Sequence, residues 1–255
     1  MVEKVYWILS VQFGFDIRRL SRSLRGVSRY ASAWYRFRRD YTGGLELRPC
    51  LYDWFEEGGE TKSEYFWQDL YVARKICIAN PEKHVDVGSR IDGFVAHIAS
   101  FREIEIFDIR PVTSHIPGIV YKQADLMASK NSLIDYCDSL SCLHALEHFG
   151  LGRYGDPVDP YGYKTGLANM SKIIRRGGVF YLSVPVGKER VEFNAHRIFD
   201  PLSLVHLAAE NGLLLHEFSW VASSQGVVQS ELPEQTMAKL AQLRYTLGIF
   251  TFIKQ

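Results

Sequence analysis

The stretch Lys83–Gly93, KHVDVGSRIDG, constrains the fold of this chain more than any other. A short strand, His84–Val87, runs into a turn of Gly88, Ser89 and Arg90, with Gly93 just beyond. A helix is expected over Phe94–Phe101. Strand, glycine-bearing turn and helix in that order open a nucleotide-binding βαβ unit, because glycine lets a ligand come close to the backbone. Asp86, at the strand end, can orient the turn or meet a cation. One such turn occurs in many α/β proteins, so the spacing of the later strands decides the reading.

A second strand, Glu103–Phe107, ends in Asp108. An acid about twenty residues after the glycine turn can accept two hydrogen bonds from a ribose diol. The third strand, Gly118–Gln123, ends in Ala124-Asp125-Leu126, which offers an acceptor to an exocyclic amine. Cys137–Leu143 reads as strand four and leads into His144-Ala145-Leu146-Glu147-His148. A helix over Gly166–Arg176 closes on Gly177-Gly178 and opens strand five, Val179–Val184. After a loop, Gly187–Phe199, Asp200 caps a helix that starts with Pro201 and stops at Asn211-Gly212. Strands at Leu213–Val221 and Tyr245–Ile253 flank a helix near Pro233–Leu243.

From Lys83 to Gln255 the chain resembles the class I S-adenosylmethionine-dependent methyltransferases. The resemblance rests on VDVGS, Phe107-Asp108, Ala124-Asp125, Leu146–His148 and the RRGG-VFYLSVP block at Arg175–Pro185. It implies an α/β fold: a Rossmann-like, doubly wound, mostly parallel sheet with an antiparallel last strand. It also implies S-adenosyl-L-methionine as cofactor, held by Asp86, Gly88, Ser89, Gly93, Asp108, Ile109, Asp125 and Leu126. The first motif departs from the family pattern, with Arg90 and Asp92 where the second and third glycines stand. More narrowly, VGSRIDGF, FDIRP and NAHRIFDP resemble an uncharacterised methyltransferase-like family associated with polysaccharide biosynthesis. That implies a saccharide or other small hydroxyl acceptor. A helix over Glu64–Ala79, capped by Ser63, precedes the first strand; its stripe of Phe66, Leu70, Ala73 and Cys77 is expected to pack on the sheet edge. In this family such a helix often helps cover the cofactor.

Methyl transfer to a hydroxyl needs alignment, exclusion of water and a proton acceptor. His144, Glu147 and His148 would share one face if strand four led into a helix. Either histidine can then serve as base. The same cluster also resembles the Glu-x-x-Glu-His set that holds a divalent metal in ubiquinone-pathway O-methyltransferases, and a structural role under the cofactor stands as a third reading. His196 is the other candidate base, and the loop after strand four offers Asp156, Asp159, Tyr161 and Tyr163 to an acceptor. A nucleic-acid methyltransferase lacks support in a net charge of +1 and in Ser141-Cys142-Leu143, where amino-nitrogen enzymes carry Asn-Pro-Pro-aromatic. Nucleic acid is therefore not the expected partner. A cofactor-binding protein without catalysis is the other alternative. A nicotinamide enzyme is disfavoured because Gly88–Gly93 is not G-x-G-x-x-G.

Residues 1–80 are expected to form a helical extension to a methyltransferase-like domain over 81–255. Between Arg18 and Arg39 there are eight arginines and no acid. On a helix, Ile17, Leu20, Leu24, Val27, Ala31 and Trp34 share one face and Arg18, Arg22, Arg25, Arg29 and Arg36 the other, with Gly26 a point of weakness. This pattern has three readings: the apolar face packs on the domain and leaves the arginines in solvent; the helix meets an anionic surface, whether a membrane face, a lipid-linked pyrophosphate or a polyanionic acceptor; or it contacts nucleic acid. The four cysteines lack metal or disulfide spacing. The chain is expected to be cytoplasmic, at most peripheral to the inner membrane face.

Overall fold

The computed structural model describes residues 2–59, 61–128, 133–222 and 225–255. It divides into two compact units, Met1–Glu60 and Thr61–Gln255. In the first, α1 (Val2–Trp7) continues through a wound turn toward α2 (Ile17–Asp40). The second carries α3 (Glu64–Ala79), α4 (Ala96–Ala99), α5 (Gly162–Ile173), α6 (Pro201–Glu210) and α7 (Pro233–Leu240).

Among the described residues, ten strands belong to the second unit. These are β1 (His84–Val87), β2 (Ile104–Asp108), β3 (Ile119–Gln123), β4 (Cys137–Leu143), β5 (Ile174–Val186), β6 (Arg190–Glu192), β7 (His196–Ile198), β8 (Leu213–Ala222), β9 (Gly226–Gln229) and β10 (Thr246–Lys254). Eight of them form one sheet in the order β3-β2-β1-β4-β5-β10-β8-β9. The first five in that order run parallel, and β10 lies antiparallel between β5 and β8. This is the doubly wound sheet with antiparallel late strands expected from the sequence. The chain leaves β1 for β2 on one side and reaches β4 on the other, so a crevice opens at the carboxyl ends of β1 and β4.

Both faces of the sheet are covered at its centre, which explains why β1, β2 and β4 are buried on both sides. On one face Val85 and Val87 of β1, with Phe180, Leu182 and Val184 of β5, pack against Leu167, Met170 and Ile173 of α5 and Leu204 and Ala208 of α6. On the other, Ile104 and Ile106 of β2 meet Val72 and Ile76 of α3 and Phe94 and Ile98 beside α4. Each of the larger of these side chains contributes roughly 1.5–3 kcal/mol by its burial.

Local expectations differ from the structure in several places. The helix expected over Phe94–Phe101 is instead a wound turn, Ile91–Val95, followed by the four-residue α4. The helix expected over Gly166–Arg176 starts at Gly162 and stops at Ile173. Ile174 already pairs with Cys137, and Arg175–Gly178 bulge out of the ladder on the left-handed Gly177 (φ 78°). The loop expected over Gly187–Phe199 contains the β6–β7 hairpin. On α3 the buried face is Gln68, Asp69, Val72, Ala73 and Ile76, while Leu70 and Cys77 of the expected stripe are exposed. The reason is that two polar residues, Gln68 and Asp69, occupy the inward face.

In the first unit α2 is continuous through Gly26. A Cβ there would lie 2.2 Å from the carbonyl oxygen of Leu51, so glycine admits the crossing of another segment rather than breaking the helix. That segment brings Tyr52 under Arg19, Phe55 under Arg25 and Trp54 under Arg29, the last at 3.5 Å. Aromatic rings thus strap the arginine face, and Ile17, Leu20, Leu24 and Val27 of the apolar stripe are exposed.

Candidate active site

A cavity of about 310 Å³ occupies the crevice. Its walls come from the ends of four parallel strands: Val87–Arg90 after β1, Phe107–Arg110 after β2, Ala124–Met127 after β3 and Leu143–Ala145 after β4. Tyr65, Gln68 and Asp69 of α3 close one side, and His148, Phe149, Arg153, Tyr154 and Asp156 another.

The turn after β1 is built by two local devices. Gly88 takes φ 74°, which an L side chain rarely adopts, and a Cβ on it would come within 2.9 Å of Ala145 Cβ. Asp86 is fully buried and accepts from the Ser89 backbone N–H (3.0 Å) and from the Ser89 and Ser141 hydroxyls (2.7 and 2.6 Å). Burial pushes its carboxyl up to about 6, with those donors opposing the rise. Asp86 therefore orients the turn and does not line the cavity. Arg90 and Asp92, at the two departures from glycine, pair with each other through exposed side chains, at 3.0 and 2.7 Å. Gly93 also stays off the cavity wall; a Cβ there would stand 2.7 Å from Asp69 Oδ2, so this glycine lets α3 approach.

Asp108 lines the cavity, but its carboxylate is already engaged. Arg110 donates from Nε to Oδ1 (3.0 Å) and from Nη2 to Oδ2 (2.6 Å). Ile109 lies between them on the same wall. Asp125 accepts from the Met127 N–H at 2.8 Å, and Leu126 is buried beside it.

Strand four does not lead into a helix. His144 adopts φ 53°, and a single tight turn, Leu146–His148, comes next. The two histidines therefore face different surroundings. His144 is buried between two carboxylates, with Nδ1 2.6 Å from Glu147 and Nε2 3.2 Å from Glu64, and stacks on Tyr65 at 4.5 Å. Burial opposes its charge, yet the Glu147 and Glu64 carboxylates outweigh it and raise the imidazole to about 9. Glu147 lies wholly beneath the cavity; burial would raise it, but His144 holds it below the usual carboxylate range. His144 Nδ1 bonds the Glu147 carboxylate, while Nε2 lies 3.2 Å from a Glu64 oxygen without forming a hydrogen bond, so the ring sits between the two carboxylates as a charge pair. Among the described residues no three of His, Cys, Asp and Glu converge as a metal site.

His148 is the contrasting case. Its Nδ1 lies 2.8 Å from the Ala195 carbonyl oxygen, which can only accept, so Nδ1 carries the proton and Nε2 the lone pair. Burial lowers its pKa below the ordinary histidine value, only partly countered by Glu147. Ala195 precedes the β7 strand, so a hairpin that the sequence pattern does not announce fixes the tautomer of this ring. His196, the next residue, does not line the cavity: it packs edge-on to Tyr245 at 6.0 Å, with Glu192 at 3.8 Å. Of the loop residues, Asp156 reaches the cavity and Tyr161 is exposed. Tyr163 packs on Phe199, under the buried Arg197, and the Asp159 carbonyl accepts from Arg197.

Sequence reasoning does not find Tyr65, Gln68, Asp69, Arg110, Arg153 or Tyr154. Asp69 is nearly buried, receives Gln68 Nε2 at 3.0 Å and has its pKa raised by burial. Arg110 and Arg153 lie on the Tyr154 ring, at 4.7 and 5.1 Å.

The sheet order is that of the class I methyltransferase fold. Solved structures carry the same architecture. A Burkholderia thailandensis 1,6-didemethyltoxoflavin-N1-methyltransferase, with bound 1,6-didemethyltoxoflavin and S-adenosylhomocysteine, is similar at a TM-score of 0.52 and 15% identity. That match covers 93% of this chain and 90% of that one. A protein assigned as a sarcosine dimethylglycine methyltransferase from Galdieria sulphuraria is similar at a TM-score of 0.51 and 14% identity, covering 74% of this chain and 85% of that one. No curated protein matches the sequence. Within this fold, the chain belongs to the family described as Caenorhabditis protein of unknown function, DUF268, whose family model matches residues 114–249, more than half of the chain.

Proposed function

We propose that this protein transfers a methyl group from S-adenosyl-L-methionine to a hydroxyl of a small acceptor, a saccharide or glycan precursor. The observation that carries the reading is His148: a neutral, tautomer-locked imidazole on the wall of the same cavity that the Gly88 turn and Asp108 enclose. The residues present suit the cofactor. Asp108 would take the ribose diol once Arg110 swings aside, Asp125 and Leu126 the adenine edge, and the Gly88-Ser89 turn the chain between them. Asp69, buried beside that turn, would meet the ammonium of the methionine end.

The cofactor supplies a methyl group on a positively charged sulfur, already activated for displacement. What remains for the protein is alignment and proton removal. With the cofactor bound, its sulfur would keep the electron pair of the broken carbon–sulfur bond, and the proton of the acceptor hydroxyl would pass to His148 Nε2. Glu147 would steady the resulting imidazolium through its Oε1, 3.7 Å from that nitrogen. His144, charged and clamped, would hold Glu147 in place and would not itself act as base.

One observation favours a second reading. Arg90 and Asp92 stand where the family has glycines and pair with each other beside the β1 turn, as suits a cofactor-binding protein without catalysis. Incubating the protein with labelled cofactor and nucleotide-sugar or glycan extracts, then measuring products by mass spectrometry, separates the two. A product heavier by one methyl group supports catalysis. S-adenosylhomocysteine binding by calorimetry without any methylated product supports the second reading, and no binding sinks both.

A further inference from the structure

The first unit carries an unused surface. Ten large apolar side chains between Val5 and Val27 are exposed, among them Val11 (60%), Phe13 (74%), Ile17 (53%) and Leu24 (65%). On α2, Ile17, Leu20, Leu24 and Val27 form one stripe, and the Tyr52–Phe55 strap lies on the arginine face away from it. Water-exposed apolar area of this extent marks a contact surface, because each such side chain gains by leaving water. The charge around it names the partner. Eight arginines and no acid lie between Arg18 and Arg39. Asp16 is spent capping α2, where it accepts from the Arg18 and Arg19 N–H groups and from the Tyr6 hydroxyl (2.7 Å).

We propose that α2 and the segment before it lie in the plane of an anionic lipid surface, with the apolar stripe among the acyl chains and the arginines among the headgroup phosphates. An apolar stripe flanked by cations is the pattern of an interfacial helix. No described helix is long and apolar enough to cross a membrane, so the contact is lateral. A nucleic acid would engage the arginines and leave the stripe in water, which makes it the poorer match. A second copy would meet the same arginines with its own. The aromatic strap has a role here too. Rings stacked under Arg19, Arg25 and Arg29 hold those guanidinium groups to one side of the helix. This inference does not depend on the methyl-transfer reading.

The test is co-sedimentation of the full chain with vesicles of phosphatidylcholine alone, or mixed with phosphatidylglycerol at about three to one. Binding is expected only with the anionic vesicles and should weaken as salt rises. Leu20→Glu with Leu24→Glu should lower the bound fraction at least about tenfold, because two buried leucines are lost from the acyl region. Arg36→Glu with Arg39→Glu, which leaves the strap untouched, should weaken binding and blunt its salt dependence. Circular dichroism and thermal melting establish that each variant is folded. Sedimentation with neither vesicle overturns the proposal. So does a dimer in sedimentation velocity that Leu20→Glu with Leu24→Glu dissolves while vesicle binding is absent. Binding to an oligonucleotide that the leucine variants leave intact, again without vesicle binding, also overturns it.

Discussion

Arg110 lies across the carboxylate of Asp108, with Nη2 2.6 Å from Oδ2 and Nε 3.0 Å from Oδ1. Two residues of the same turn thus close the position at the end of β2 that would bind a ribose. The guanidinium is partly exposed and rests on the Tyr154 ring while it bonds Asp108.

Opposite signs are expected from the two partners. Asp108→Ala should weaken S-adenosylhomocysteine binding about tenfold or more, since a hydrogen bond to a charged group contributes roughly 1.5–3 kcal/mol. Arg110→Ala should tighten it, because the carboxylate no longer exchanges one partner for another. Isothermal titration of both variants checks this. If Arg110→Ala weakens binding as much as Asp108→Ala, the arginine belongs to the ligand site and does not gate it.

The amine end of the same ligand gives a separate prediction. Asp69 approaches the β1 turn because Gly93 has no Cβ. Asp69→Asn should lower S-adenosylhomocysteine affinity about tenfold and leave methylthioadenosine, which lacks the amino acid, unaffected. Equal losses for both ligands would mean that Asp69 only supports the turn.

For the proton acceptor, His148→Asn is expected to cut turnover by about 10²–10⁴-fold, the usual contribution of a general base, with cofactor binding retained. Because burial holds the His148 pKa below 6.5, wild-type turnover should already be flat at neutral pH and fall only below that value. His196→Asn should be close to wild type, since that ring packs on Tyr245 away from the cavity. A wild-type rate in His148→Asn would remove the base from the mechanism.

The parallel sheet is legible in the sequence because its strands announce themselves: a run of β-prone residues, then a glycine or an acid where the strand ends, at Gly88, Asp108 and Asp125. Asp86 is legible as the residue that orients the turn, since a buried acid beside Gly88-Ser89 has those donors at hand. The cavity wall from α3 is not legible. Its buried face includes Gln68 and Asp69, and Gln68 is there to meet Ser183, a residue 115 positions away. A hydrophobic period cannot register a polar pair whose partner is set by the sheet. The same holds for the β6–β7 hairpin, three residues per strand, and for His144, whose left-handed backbone ends the helical pattern that its spacing to Glu147 and His148 suggests. What α2 does with its two faces is also hidden, because Tyr52, Trp54 and Phe55 meet the arginines from a stretch without regular pattern.

The His144–Glu147 pair should leave a signature in the dependence of stability on pH. His144 moves from 6.5 when unfolded to about 9 when folded. A raised folded value means that its contribution is complete below pH 6.5 and is lost as pH climbs through about 9. The slope in that window is about 1.4 kcal/mol per pH unit for one proton. Glu147 is depressed below 4.5, so its contribution is present above that value and fades as pH falls. The pair therefore stabilises most between the two unfolded values and weakens through the alkaline range. Thermal melting from pH 6 to 9.5 should show a falling midpoint for the wild type. In the double variant His144→Gln with Glu147→Gln, two neutral amides keep a hydrogen bond without a titrating proton, and the alkaline fall should flatten. Parallel curves for the two proteins would show that His144 is neutral in the folded state and that the clamp does not hold a charge.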